Sequence, residues 1–463
     1  MTAAKSFFIK TYGCLMNERD SESVQELLSA RGFPAAPSEA EARVLLINTC
    51  SVRGKAEDKA IGKARLLVAQ KKIRPGLRVG LFGCMVQRLK GDLFKLIPGL
   101  DFAVGPHRLG LLPAVLASVL ADEGPRLEAG EERSEDDVLC GHQDGALGAF
   151  VNILYGCNRR CAYCIVPTVR GGEWSRPAAD VVAEVRRLAE RGVREITLLG
   201  QSVMSYGRTN KVWPEGEVSP GGFTEPFPRL LEAVHAVAGG AWLRFTSGHP
   251  SGCSAEVARA MGSLPLICPH LHLPLQTGSD RILERMRRGY DAEGYRQAVA
   301  RLRAQVPDLI LTTDVIVGFP GETEEDFEAT RRLVAEIGFV NAFIFKYSPR
   351  PGTPAAEWEE TVTPEEKMRR NQVLLEDIDR QALILQAKWV GTDLDVLVEG
   401  VSRRNSDRWA GRTRYNITAI FPVVEGLIPG DRVKVRIERV RAQTLYGQVQ
   451  VSPRVDGGGD GGV

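Results

Sequence analysis

Apolar positions in the first 121 residues come in short blocks separated by helical patterns. Ser6-Phe7-Phe8-Ile9-Lys10-Thr11-Tyr12 reads as a strand, followed by an amphipathic helix from Asn17 to Arg31. Val44-Leu45-Leu46-Ile47-Asn48 is a continuous apolar run, then a basic helix from Lys55 to Lys72, then the strand Arg78-Val79-Gly80-Leu81-Phe82. Phe102-Ala103-Val104 is a weaker fourth strand. Strands alternating with helices predict a parallel-sheet α/β domain over 5–121, its functional edge at the strands' C-terminal ends. The alternation stops at 122–148, where Asp122-Glu123-Gly124-Pro125 and the acidic run Glu131–Asp137 predict a linker.

It resumes at Phe150. Strands are predicted to begin near Phe150, Glu195, Trp242, His270, Leu309 and Asn341, with helices such as Pro177–Arg191, Asp280–Arg288 and Glu324–Ile337 between them. Six βα units fall short of the eight that close a full barrel, and they define a second domain over 149–378. Thr363 to Trp389 reads as one long charged helix, with Thr363-Pro364-Glu365-Glu366 as its capped start. After it the period changes to two: Leu394–Glu399 and Asp431–Ile437 alternate, with Gly/Pro turns between, and predict a small OB-like β-barrel over 386–454. The Gly-rich tail 455–463 is expected to be disordered.

Length agrees with about three domains, and 43% hydrophobic with 25% charged residues describes a water-soluble globular chain. A net charge of +2 confines any nucleic-acid surface to one region. That region is the small barrel, where Gly400–Arg454 holds eleven Lys/Arg against four Asp/Glu. Arg403, Arg404, Arg408, Arg412 and Arg414 interleave with Trp409 and Tyr415, which suits phosphate neutralisation and base stacking by RNA. Nine cysteines without a secreted disulfide framework point to a reducing, cytoplasmic setting. The start has no signal-peptide pattern, and the most apolar segment, Leu109–Ala121, contains Pro113 and is too short to span a bilayer. No membrane partner is expected.

Candidate chemistry lies in Cys157-Asn158-Arg159-Arg160-Cys161-Ala162-Tyr163-Cys164, a C-x3-C-x2-C loop directly after the strand Phe150–Tyr155. Iron–sulfur clusters take thiolate ligands, four for a cubane. Three leave one iron open, which is the arrangement of a reactive site. A structural zinc site needs a second knuckle or histidines, and none is near. Cys14, Cys50 and Cys84 form a second set, each one or two residues past a strand of the first domain. Parallel strands gather them at one sheet edge, and three thiolates again leave a vacancy. Cys253 and Cys268 read as ordinary thiols and Cys140 carries no assignment. His249, His270 and His272 read as structural, the last two sharing one face of a strand.

The C-x3-C-x2-C loop resembles the motif of the radical S-adenosylmethionine (radical SAM) family. The resemblance implies an open, partial TIM barrel with its chemistry at the strands' C-terminal mouth. It implies a [4Fe-4S] cluster whose open iron chelates the amino and carboxylate groups of SAM, and whose electron releases a 5'-deoxyadenosyl radical from it. It also implies Tyr163 beside the adenine, Gly200 and Gln201 at the SAM amino group, and backbone near Gly318 against adenine. The order of the three parts resembles the methylthiotransferases, with a final module similar to a TRAM domain, and most nearly the MiaB type that acts on tRNA. The residues carrying this are Gly156-Cys157-Asn158 through Cys164-Ile165-Val166-Pro167, Arg170-Gly171-Gly172-Glu173, Ser175-Arg176-Pro177, His272 through Ser279, Gly318 through Thr323 and Tyr347 through Pro354.

The resemblance implies methylthio insertion at C2 of an N6-isopentenyladenosine next to the tRNA anticodon. The cluster on Cys14, Cys50 and Cys84 would carry the sulfur, methylated by a second SAM. A sulfur source and a low-potential electron donor are then required, and a monomer is expected. Where the MiaB pattern is Leu-Leu-Gly-Gln-Asn-Val-Asn, this chain has Leu198-Leu199-Gly200-Gln201-Ser202-Val203-Met204, and Ser247-Gly248-His249-Pro250 departs from Thr-Ser-His-Pro. Sister enzymes acting on threonylcarbamoyl-adenosine or on a ribosomal-protein aspartate are the neighbouring alternatives. A non-catalytic RNA-binding iron–sulfur sensor is the alternative of another class.

Overall fold

The computed structural model describes residues 5–450 apart from 53, 131–139, 215 and 217. The acidic run Glu131–Asp137, residues 451–454 of the small barrel and the tail 455–463 lie outside the described residues.

The first sheet is built from β1 (Phe7–Tyr12), α1 (Leu15–Ala30), β2 (Val44–Thr49), α2 (Gly54–Gln70), β3 (Arg78–Gly83), α3 (Cys84–Leu89), α4 (Asp92–Leu96), β4 (Phe102–Val104), α5 (Leu112–Leu120) and β5 (Arg126–Glu128). Its five strands are parallel and lie in sequence order. Leu45, Ile47, Val79 and Leu81 pack on α2 and α3, while Val44, Leu46 and Phe82 pack on α1 and α5. Burial on both faces is why β2 is apolar from Val44 to Ile47. β5 corrects the expected linker. Three residues of exposed edge carry no apolar alternation, and backbone bonds such as Gly105 N–H to Glu128 O (2.7 Å) define the strand.

The second unit comprises β6 (Gly148–Asn152), β7 (Leu154–Tyr155), α6 (Val166–Arg170), β8 (Trp174–Ser175), α7 (Ala178–Glu190), β9 (Glu195–Leu199), α8 (Pro226–Val237), β10 (Trp242–Phe245), α9 (Ala255–Ser263), β11 (His270–His272), α10 (Asp280–Arg285), α11 (Ala292–Gln305), β12 (Ile310–Val317), α12 (Glu324–Ile337), β13 (Asn341–Lys346) and α13 (Pro364–Gln386). Two parallel sheets, β6-β9-β10 and β11-β12-β13, are joined by a bridge between Leu243 and Ile267. Among the described residues β13 has no pairing with β6, so the six-stranded barrel is open. Ser254, Ser279, Asp291, Thr323 and Thr363 each accept a backbone N–H at a helix start, as N-caps do. α10 stops three residues before Arg288, where the pattern placed its end, with Arg287 in the left-handed region at φ 57°.

Period-two geometry sorts the strand residues. Leu271, Leu311, Val315 and Val317 pack on the surrounding helices, so His270, His272, Thr312 and Asp314 take the opposite, inner side. His270 Nε2 and His272 Nδ1 both meet Thr312 Oγ1, at 3.2 and 3.0 Å.

β14 (Asp393–Ser402), β15 (Asn405–Thr413), β16 (Thr418–Pro422), β17 (Arg432–Arg441) and β18 (Thr444–Val449) close into a barrel ordered β14-β15-β16-β18-β17. It is docked at the starts of the larger barrel's strands, away from the mouth. Leu397 packs with Trp242 and Cys268, and Ile310 and Val340 join the small barrel's core around Trp389. Buried Arg244 pairs with Glu195 (2.7 Å) and donates to Thr413 O and Arg414 O, both at 2.8 Å. Replacing Arg244 by Met leaves Glu195 and two carbonyls without their donor. The expected loss is about 3–5 kcal/mol of stability, to be read by denaturant unfolding of the full chain.

A buried charge network ties the first sheet to the second unit. Glu184 on α7 meets His142 Nε2 (2.6 Å), Arg176 (2.7 Å) and Arg19 of α1 (3.4 Å). Burial by itself raises the Glu184 carboxyl, but His142, Arg176 and Arg19 override it and hold it at about 2. A depressed carboxylate stabilises the fold above its unfolded pKa, about 4.3, and loses that contribution as pH falls toward the folded value. Melting temperature should therefore drop more steeply below about pH 4 in the native protein than in Glu184→Gln.

Candidate active site

The register of the first sheet brings its three cysteines together. Tyr12 lies opposite Thr49, and Thr49 opposite Gly83. The chain therefore leaves β1, β2 and β3 side by side, with Cys50 and Cys84 next and Cys14 two residues on. Asn17 and Asn48 brace this edge. Asn17 Nδ2 donates to Asn48 Oδ1 (2.9 Å) and Thr49 O (3.2 Å), and Asn48 Nδ2 donates to Asn17 O (2.7 Å). Gly83 has φ 102°, and a Cβ there would stand 2.5 Å from Asn48 Oδ1, so the turn into Cys84 requires glycine. A hydrogen bond from Cys50, opposed by burial and helped by Arg170, draws the Cys14 thiol down to about 6. The same bond and burial push Cys50 up, and burial pushes Cys84 up.

The second triad sits on the loop between β7 and α6. Ala162 pins that loop at both sides, its N–H to Met286 O (2.9 Å) and its C=O to Ala355 N–H (2.9 Å). Cys157 N–H donates to Gly171 O at 3.1 Å. Burial raises the Cys157 thiol and pushes Cys164 up to about 12. Arg288 is buried, donates to Cys161 Sγ and Tyr163 OH, each at 3.3 Å, and has no carboxylate partner among the described residues.

Both triads face one mouth. Met16, just past Cys14, packs with Tyr155 and Leu199 of the barrel. Arg350, beyond β13, donates to Val52 O in the loop after Cys50 (3.2 Å). Cys84 packs against Ile165 and Val169 of α6, and Arg170 at the end of that helix donates to Cys84 Sγ at 3.1 Å and to Asp20 at 2.6 Å.

The other expected residues divide. Tyr163 is set edge-on to Phe319, ring centroids 6.4 Å apart, at the β12 exit beside Gly318. Gln201 accepts the Gly156 N–H, and its buried Nε2 has no partner, a donor left over at the mouth. Gly200 is packed against Leu154. Gly318 has φ 71° and donates to Glu322 (2.5 Å), but its Cα is covered by the Lys367 stem rather than open to a ligand. Of the departures, Met204 lies in the apolar core with Cys253 and packs beside Gly248, itself a departure, and Gly252. Ser202 meets Ser205 (3.0 Å) and Arg159 (3.5 Å). His249, read as structural, is buried at this same mouth, edge-on to Tyr290 at 5.2 Å. Burial, with Arg288 and Arg159, holds it neutral, its pKa lowered to about 2.

On the small barrel Arg403, Arg404 and Arg408 are exposed. Arg412 is paired with Glu399 at 2.8 Å. Arg414 is a correction: its guanidinium donates to Pro265 O (2.5 Å) and Ile267 O (2.9 Å) and docks the barrel. Tyr415 is likewise engaged, stacked on Trp389 at 4.9 Å and bonded to Asp308 at 2.7 Å.

Among the described residues no three Cys, His, Asp or Glu side chains converge as they would around a single ion. A four-iron cluster is a larger body and takes its thiolates at separate corners. The donor sets, three thiols each beside a buried arginine, fit such an anionic group, and the leftover Gln201 donor fits a polar ligand beside it.

An open six-stranded barrel with C-x3-C-x2-C at its mouth defines a radical SAM protein. The Radical SAM superfamily model matches residues 151–334, Uncharacterized protein family UPF0004 matches 6–105 and the TRAM domain matches 387–450. The tRNA-2-methylthio-N(6)-dimethylallyladenosine synthase of Akkermansia muciniphila is 44% identical over 456 residues, covering 95% of this chain and 98% of that one. The protein of the same name from Opitutus terrae is 44% identical over 475 residues, covering 96% and 97%. The chain belongs to the tRNA-2-methylthio-N(6)-dimethylallyladenosine synthase family. In fold it is similar to a radical S-adenosylmethionine methyltransferase, TsrM, from Kitasatospora setae, solved with cobalamin and a [4Fe-4S] cluster (TM-score 0.56, 14% identity, 76% of this chain and 74% of that one). Membership of the radical SAM superfamily implies a [4Fe-4S] cluster and SAM.

Gly156, at φ 73°, has no room for a side chain, since a Cβ would strike Gly172 O. With Cys14, Cys50 and Cys84 replaced by alanine, Gly156→Ala should lose nearly all the iron that the same protein with Gly156 retains, measured by iron and sulfide analysis after reconstitution.

Proposed function

We propose that this chain inserts a methylthio group at C2 of N6-isopentenyladenosine next to the anticodon of tRNA. The observation that carries the reading is two cysteine triads opening on one barrel mouth, in a chain of this family. A [4Fe-4S] cluster with SAM on Cys157, Cys161 and Cys164 would supply one-electron chemistry able to activate a C–H bond with no acidic proton, and a second on Cys14, Cys50 and Cys84 a place to carry sulfur.

The chain's own residues bind and orient. Gln201 Nε2, a buried donor without a partner, would meet SAM, with Tyr163 beside it; Gly200 and Gly318 would serve through the turns they make. Arg403, Arg404 and Arg408 are the exposed cations that would neutralise RNA phosphates; Arg412 and Arg414 serve the barrel itself. Neutral His249 and the hydroxyl of Ser202 line the mouth without adding charge, which suits an uncharged isopentenyl adenine. The division we propose is an N-terminal unit over 5–121, extended to Glu128 by β5, then the barrel, then the TRAM module. The reaction requires a sulfur source and a low-potential electron donor. We place it in the cytoplasm, acting as a monomer; among the described residues no helix is long and apolar enough to cross a membrane.

The test is mass spectrometry of tRNA nucleosides from cells lacking the gene. The methylthio-isopentenyl nucleoside should vanish, return with the native gene, and stay absent with Cys157→Ala or Cys84→Ala. An unchanged nucleoside profile would overturn the substrate, and threonylcarbamoyl-adenosine and the ribosomal protein would be examined next.

A further inference from the structure

One helix carries the chemistry of one triad into the other. α6 begins two residues after Cys164, is five residues long and ends at Arg170. Val169 on it and Ile165 just before it lie on Cys84, and the Arg170 guanidinium continues past them into the N-terminal sheet. There Nε donates to Cys84 Sγ (3.1 Å) and Nη2 to Asp20 Oδ2 (2.6 Å), and the side chain is only 4% exposed. A buried guanidinium stays charged and requires an anion. Asp20 provides one. The second acceptor, a sulfur, is a strong one only as the thiolate that a cluster creates.

We propose that Arg170 is a positioning residue for the N-terminal triad: carried on a helix of the barrel, it donates to Cys84 and raises the reduction potential of the cluster held there. The proposal rests on assigning Cys14, Cys50 and Cys84 to a second cluster. Hydrogen bonds and positive charge at a ligand sulfur favour the more negative, reduced state of a cluster, and so raise its potential. Asp20 orients the guanidinium and offsets part of its charge. Removing the carboxylate charge therefore moves the potential in the direction opposite to removing the arginine. α6 also starts beside Cys164, so the contact fixes the spacing of the two triads.

The experiment is an EPR-monitored redox titration of the full chain with Cys157, Cys161 and Cys164 replaced by alanine, which leaves the N-terminal triad as the sole cluster site. The potential should fall in Arg170→Gln, lie between the two in Arg170→Lys, and rise in Asp20→Asn, with iron content alongside. Equal potentials in all four proteins, with iron retained, would overturn the role of Arg170 while leaving the second cluster intact. Absence of iron when Arg170 and Asp20 are both native would overturn the second-cluster assignment and the proposal with it. If Arg170→Gln fails to hold iron, Asp20→Asn decides: a raised potential supports the proposal and an unchanged one overturns it.

Discussion

Parallel pairing ends every strand of a sheet at the same edge, and everything else in this molecule depends on that. In the first sheet the constraint is met residue by residue: Tyr12, Thr49 and Gly83 form one row, so three cysteines separated by up to 70 residues become neighbours without any local motif. In the barrel the same constraint puts the exits of β6, β9 and β12 on the side where the C-x3-C-x2-C loop lies. A one-residue slip in either sheet would move a ligand by about 3.3 Å and turn it to the opposite face. The bracing by Asn17 and Asn48, and the glycine at 83, are the local devices that prevent it.

If both triads hold clusters, as proposed, three thiols in a buried edge raise a second problem, because the loaded form is anionic. Each triad answers it with a buried arginine donating to one sulfur, Arg170 to Cys84 and Arg288 to Cys161. The two solutions differ. Arg170 is offset by Asp20, whereas Arg288 has only tyrosine hydroxyls, a carbonyl and the thiol around it among the described residues. Among the described residues Arg288 therefore lacks the carboxylate partner that Arg170 has, while Arg159 nearby is opposed by Glu173. A carboxylate-bearing cofactor at the mouth gains from positive charge there.

These features were unequally legible in the sequence. Strand positions and the gathering of Cys14, Cys50 and Cys84 followed from periodicity, since an apolar run buried on both faces admits little but a parallel sheet. The short β5 was missed because edge strands held by backbone bonds leave no side-chain pattern. Arg170 and Arg288 were invisible as neighbours of sulfur: they lie 86 and 127 residues from the cysteines they touch, and although Arg170 opens the stretch Arg170-Gly171-Gly172-Glu173, nothing in it points to a thiol. The basic stretch of the small barrel misled in the same way. Arg414 and Tyr415 have the composition of an RNA surface, yet they grip Ile267 and Asp308. A run of residues says that cations are present; which of them face water is decided by the neighbouring domain.

That docking bears on how an RNA can be held. The small barrel meets the starts of the larger barrel's strands through Trp242, Arg244, Cys268 and Ile310, whereas the cysteines lie at the strands' ends. Its free cations Arg403 and Arg404 occupy the turn between β14 and β15, outside that contact. Under the proposed function, an adenosine at the mouth and phosphates at this turn would be met by two different domains of the chain. Cations that contact phosphates would position such an RNA and leave discrimination to the pocket. Discrimination would then fall to the few polar groups near the mouth, among them Ser202, which departs from the pattern and meets Arg159 and Ser205.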